Sequence, residues 1–121
     1  MNQGHPNSFS IAQRIEDCEG LSVLAVTLDD LCRWEGLERL DYLKIDAEGA
    51  EGEVLSGAKE TITRFRPVVQ CETIKSDFAF EFQNYCSFQA PQSPNRIFIP
   101  NESDKVAFAV RLGWQRLITG R

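Results

Sequence analysis

The sequence predicts an α/β fold in which parallel strands are followed by a C-terminal antiparallel hairpin. Two observations carry this. Residues 45–68 contain a strand end, a helical stretch and the start of a new apolar run. That is the length of one strand–helix–strand crossover, and such a connection joins parallel strands. Residues 85–88 and 96–99 are short β-rich runs around Pro91 and Pro94, which predicts a hairpin at a sheet edge.

The composition bounds the rest. A chain of 121 residues suits one small domain. Hydrophobic residues at 42% and charged residues at 26% predict a packed core rather than a disordered chain. The net charge of −5 argues against nucleic acid as a partner, because phosphate contacts need clustered Lys and Arg. No run of apolar residues is long enough to cross a membrane. The first ten residues, MNQGHPNSFS, carry no apolar signal core, so a cytoplasmic location is expected. Cys18, Cys32, Cys71 and Cys86 have no C-x-x-C spacing, and free thiols are expected of all four.

In chain order, residues 1–20 read as a polar N-terminal segment punctuated by Gly4, Pro6 and Gly20. Residues 21–28 (LSVLAVTL) read as a strand covered on both faces. Thr27, with Asp30 three residues later, resembles a capping box for a short helix ending at Gly36. Residues 40–46 (LDYLKID) form the next expected strand. Val54, Ala58, Ile62 and Phe65 then recur at helical spacing, with Gly57 interrupting the pattern and Pro67 ending it. Residues 68–72 (VVQCE) read as a buried strand, and residues 76–84 as a short helix. Residues 104–112 fit a helix or an alternating strand; a helix capped by Ser103 and ended by Gly113 is favoured. The core is expected from Leu24, Val26, Leu28, Leu43, Ile45, Val54, Leu55, Ala58, Ile62, Val68 and Val69.

Two blocks resemble the FkbM methyltransferase family. One is VTLDDL at residues 26–31. The other is LDYLKIDAEGAEGEVLSGA at residues 40–58, followed by RPVVQCE at 66–72. The family's strand ends in Lys-Ile-Asp-x-Glu-Gly-x-Glu and leads into a helix with Val-Leu-x-Gly-Ala; both stretches are present here. The resemblance implies a partial Rossmann-like class I methyltransferase sheet, with residues 21–121 as the C-terminal portion of the domain. It also implies S-adenosylmethionine as cofactor and a small-molecule acceptor, a hydroxyl on a sugar or natural product. None of the eight glycines makes a G-x-G after a strand, so the family's glycine-rich donor loop is expected upstream of residue 1. The chain alone is then expected to be inactive. It would self-associate through the strand at residues 40–46, or pair with a separate chain that supplies the other half.

The resemblance places Asp46 beside cofactor and acceptor, as a catalytic and cofactor-binding residue that orients the hydroxyl or takes its proton. The plainer alternative is an acid that caps the loop or the next helix. Glu48 is the second catalytic candidate; it would bond the acceptor, help hold a divalent cation, or only complement the helix dipole. Gly49 is a cofactor-binding candidate that permits a tight turn or close backbone approach. Glu72 would face the same edge, giving three carboxylates, though no metal is expected. Lys44 shares a strand face with Asp46 and could pair with it. Glu51 is expected on the solvated first turn, where it could bond a loop amide. His5 reads as a solvated tail residue, and Trp34 and Trp114 as packing residues. A non-catalytic α/β interaction module is the alternative to the enzyme.

Overall fold

A computed structural model describes residues 22–72 and 80–117. The elements are α1 (Leu28–Glu35), β1 (Tyr42–Ile45), α2 (Glu51–Ser56), α3 (Lys59–Phe65), β2 (Val68–Glu72), β3 (Tyr85–Gln89), β4 (Asn95–Pro100), α4 (Lys105–Arg111) and β5 (Gln115–Leu117). The expectations for residues 1–20, for His5 and Cys18, and for most of the helix at 76–84 lie outside the described residues. Residues 80–84 are not helical.

One five-stranded sheet has the order β1-β2-β4-β3-β5. β1 and β2 are parallel, in the register Ile45 opposite Cys71. The 45–68 interval therefore is the crossover that the sequence predicts. Every other pairing is antiparallel. Parallel pairing is thus confined to one pair, less than expected, because β4 inserts between β2 and β3 and runs against both. It follows that β1, β2 and β3 point one way, and β4 and β5 the other. The hairpin is present but is not at an edge. Its strand β3 gains β5 as an outer neighbour, and residues 115–117 are too short and polar to have announced themselves.

The sheet buries a cluster on each face. On one, Ile45, Val69, Cys71 and Phe98 meet Leu55, Ala58 and Ile62 from α2 and α3. On the other, Cys86, Phe88, Ile97 and Ile99 meet Ala109 of α4. Leu28, Leu43 and Val54 flank the first cluster and Val68 the second, as partly buried neighbours. The expected strand at 21–28 is absent. Residues 22–27 are irregular, with Leu24 69% exposed, and Leu28 already opens a helix.

Those residues lead into a helix start instead. Thr27 Oγ1 accepts the Asp30 amide at 3.1 Å, and Gly36 closes α1 in the left-handed conformation. The helical run after β1 breaks at Gly57–Ala58 into α2 and α3. The reason for a glycine there is space: a Cβ on Gly57 would lie 3.1 Å from Thr27 Cβ. The α1 start thus presses against the α2–α3 elbow, and Asp29 locks it. Its amide donates to the Gly57 carbonyl at 2.9 Å. Its carboxylate accepts the Glu60 and Thr61 amides and the Thr61 hydroxyl at 2.6–3.1 Å, capping α3 from another helix. Arg33 adds a bridge from Asp30 to Glu60.

At the amino end of β2, Arg66 takes the left-handed cap of α3. It binds both carboxylate oxygens of Glu102 at 2.9 Å and donates to the carbonyls of Gln83 and Asn84. Tyr85, under the Arg66 guanidinium, donates to the Pro67 carbonyl at 2.7 Å. Its phenol is pushed up to about 12, chiefly by burial.

Candidate active site at the carboxyl edge of the sheet

β1 ends at Ile45 and β2 at Glu72, and Ile45 stands opposite Cys71. Asp46 and Glu72 therefore leave the sheet at the same edge, with the 46–50 loop between β1 and α2. In open α/β sheets the carboxyl ends of parallel strands are where ligands bind.

The loop is a tight turn. Glu48 and Gly49 have φ values of 49° and 99°, and the Ala50 amide donates to the Ala47 carbonyl at 3.1 Å. Only glycine adopts the Gly49 conformation without strain. Glu51, the first residue of α2, folds its carboxylate back under the turn and accepts the Ala47 and Gly49 amides, each at 3.1 Å. It is 5% exposed, so the expectation of a solvated Glu51 is corrected. Sequence spacing set Glu51 on a first turn but could not reveal that the preceding loop curls over it. Its expected bond to a loop amide is present twice.

The two candidates sit above this tie. Asp46 and Glu48 are both exposed, as is Gly49. They are free to accept hydrogen bonds from a hydroxylated ligand, and a carboxylate can take a hydroxyl proton. Lys44 is exposed too, but the expected pairing with a carboxylate is not seen among the described residues; side chains two apart on a strand lie side by side without converging. The three carboxylates do not form a cage. Among the described residues, no group of three His, Cys, Asp or Glu could hold a metal ion.

Beneath the edge lies Cys71, a fully buried thiol pushed up to about 11 by burial, with Glu51 raising it further and Arg96 opposing. It stays protonated at neutral pH and belongs to the core. Cys32, Cys71 and Cys86 are free, as expected of them. Cys86 Sγ donates to Asn101 Oδ1 at 2.9 Å, and Arg116 donates to its sulfur at 3.1 Å. Trp114 packs against the second cluster as expected, whereas Trp34 is 47% exposed. A groove lined by Arg66, Tyr85 and Glu102 opens at the other end of β2, but its guanidinium is already engaged by Glu102.

Arg96, on β4, is the residue that sequence reasoning missed. It pairs in register with Cys71 on one side and Gln89 on the other, so it stands at the same edge as Asp46. The pairing of the hairpin with β2 was the missing step; with that register in hand its place could have been read.

This chain matches the model of the methyltransferase FkbM domain over residues 2–99, most of its length, and it belongs to that family of methyltransferases. It is 46% identical over 46 residues to a 2-O-methyltransferase, NoeI, of Sinorhizobium fredii (strain NBRC 101917 / NGR234). That match covers 38% of this chain and 19% of the relative's length. No solved structure matches. Among the described residues, no helix is long and apolar enough to cross a membrane.

Proposed function

We propose that the chain takes part in S-adenosylmethionine-dependent methyl transfer to a hydroxyl oxygen of a sugar or natural product, within a Rossmann-like sheet. The observation that carries this reading is the tied loop bearing Asp46 and Glu48 at the carboxyl ends of parallel strands, in a chain of this family. The common direction of β1, β2 and β3 supports the sheet type, and the name of the related 2-O-methyltransferase supports a hydroxyl acceptor.

The bound cofactor supplies an electrophilic methyl group. Asp46 accepts a hydrogen bond from the acceptor hydroxyl, aims its oxygen, and takes its proton onto a carboxylate oxygen. Glu48 accepts from a second hydroxyl. Gly49 turns the backbone so that the loop amides point inward at Glu51, which leaves the outer side of the turn to the ligand.

These residues form one wall of a donor site. No glycine here supplies a G-x-G after a strand, so we assign the other wall to a separate chain or segment that pairs with the edge of β1, the outermost strand among the described residues. Without it the chain self-associates through that edge and is inactive. The free buried thiols suit a reducing, cytoplasmic setting.

Isothermal titration of the chain with S-adenosylmethionine, together with sedimentation, tests this. The expected result is a self-associated chain with no tight binding; tight binding by a monomer overturns the one-wall reading. With the other half supplied, Asp46→Asn is expected to slow methyl transfer roughly a hundredfold or more. An unchanged rate removes Asp46 from the chemistry and leaves the non-catalytic module standing.

A further inference from the structure

The carboxyl edge holds a guanidinium with one nitrogen that no described residue answers. Arg96 Nε is closed off from solvent and has no hydrogen-bond partner. Such atoms are rare in folded proteins, and each calls for a physical reason. An arginine cannot shed its charge to escape the cost.

The obvious internal partners are committed or face elsewhere. Glu51 lies close enough to share Cys71 with Arg96 as an electrostatic neighbour, yet its carboxylate is taken by the Ala47 and Gly49 amides. Glu72 is next to Cys71 on β2, so it points to the opposite face of the sheet. Gln89, paired with Arg96 on the other side, turns its amide to the Ser93 and Asn95 carbonyls.

The face is also fixed. Phe98, two residues along β4, belongs to the cluster under α2 and α3, together with Cys71. Arg96 therefore rises on the α2 side of the sheet, at the end where the 46–49 loop turns. Phe82 stacks on Phe98 with ring centroids 4.1 Å apart, on this same face of the sheet.

We propose that Arg96 is a carboxylate-recognition residue of this site: its planar guanidinium receives a ligand carboxylate beside Asp46 and Glu48. The fork of N–H donors matches a carboxylate in two-point geometry, which a lysine cannot reproduce. This rests on the methyl-transfer reading for where the ligand sits. The carboxylate comes from the amino-acid end of the methyl donor or from an acidic acceptor such as a uronic acid. The same side chain then separates charged from neutral ligands, since leaving it unanswered has a cost.

The test follows the Arg96 Nε–H signal by NMR in the 121-residue chain at millimolar ligand, a range that reads the weak binding expected of one wall alone. One arm adds S-adenosylhomocysteine, the demethylated donor; the other adds glucuronate, both at fixed ionic strength. A saturable shift with one of them is expected, weakened roughly ten- to a hundredfold in Arg96→Gln. Arg96→Lys, which keeps the charge but not the fork, is expected to recover only part of it. A response to the first ligand assigns the carboxylate to the donor, and to the second, to the acceptor. No saturable shift with either ligand, or equal affinity in a folded Arg96→Gln, overturns the proposal. Methyl transfer is assayed separately with the other half supplied. Normal transfer by Arg96→Gln with no carboxylate effect sinks this inference and leaves the proposed function intact.

Discussion

The two halves of the sheet are held together by different means. Around β1 and β2, polar side chains hold backbone amides: Asp29 caps α3 from across the fold, and Thr27 and Glu51 locally fix the start of α1 and the 46–49 loop. Around β3, β4 and β5, strands follow one another locally and the cluster under α4 is apolar. The half that carries the candidate site is thus the one whose turns and helix starts are fixed by carboxylates, Glu51 buried and Asp29 half-buried. The other half is a backing whose stability comes from packing.

The comparison can be broken from the backing side first. Phe88 is fully buried, and Phe88→Ala is expected to cost about 3–5 kcal/mol in urea denaturation. Leu55→Ala is expected to cost about 2–5 kcal/mol. A change under about 0.5 kcal/mol would mean that α2 does not pack on the sheet. The two differ in a second readout. Leu55 is one turn beyond Glu51, so its loss should speed hydrogen exchange at the Ala47 and Gly49 amides well before global unfolding. Phe88→Ala should expose those amides only through global unfolding. Equal exchange in both variants would erase the distinction between the halves.

Asp29→Ala comes next. It removes three acceptor contacts across two helices, and a loss of roughly 1–3 kcal/mol is expected from thermal or urea unfolding. The smallest effect belongs to Glu102. Its hydrogen bonds with Arg66 hold the carboxyl at about 2, against an ordinary 4.5. A carboxyl lowered on folding stabilises above its unfolded value and loses that contribution as pH falls through its folded one. The stability gap between wild type and Glu102→Gln should therefore be level above about pH 4.5 and close as the pH drops toward 2. A gap that widened on acidification would contradict the pairing.

Local signals in the sequence located most elements. Thr27 and Gly36 bounded α1, Pro67 separated α3 from β2, and the apolar run VVQCE was a strand to the residue. The shared edge of Asp46 and Glu72 followed from one crossover. What was illegible depended on neighbours far along the chain. The β-rich run at 21–28 is irregular and feeds the Thr27 cap of α1 instead of pairing in the described sheet, and Leu24 lies exposed. Glu51 was placed in solvent because hydrophobic spacing says nothing of a loop that folds back over a helix start. Arg96 could not be set beside Cys71 until β4 was known to pair with β2.

The contact between Thr27 and Gly57 carries a consequence for genetics. A Cβ at position 57 would meet Thr27 Cβ at 3.1 Å and Cγ2 at 3.2 Å, so the two positions, thirty residues apart, share one fixed volume. A side chain at 57 therefore needs the start of α1 to give way by a few tenths of an ångström. Serine at 27 would remove the methyl and keep the hydroxyl that starts α1, but its Cβ, the nearer of the two contacts, would stay. Thr27→Ser should therefore relieve Gly57→Ala only in part, and a side chain at 57 is accepted in so far as α1 can move.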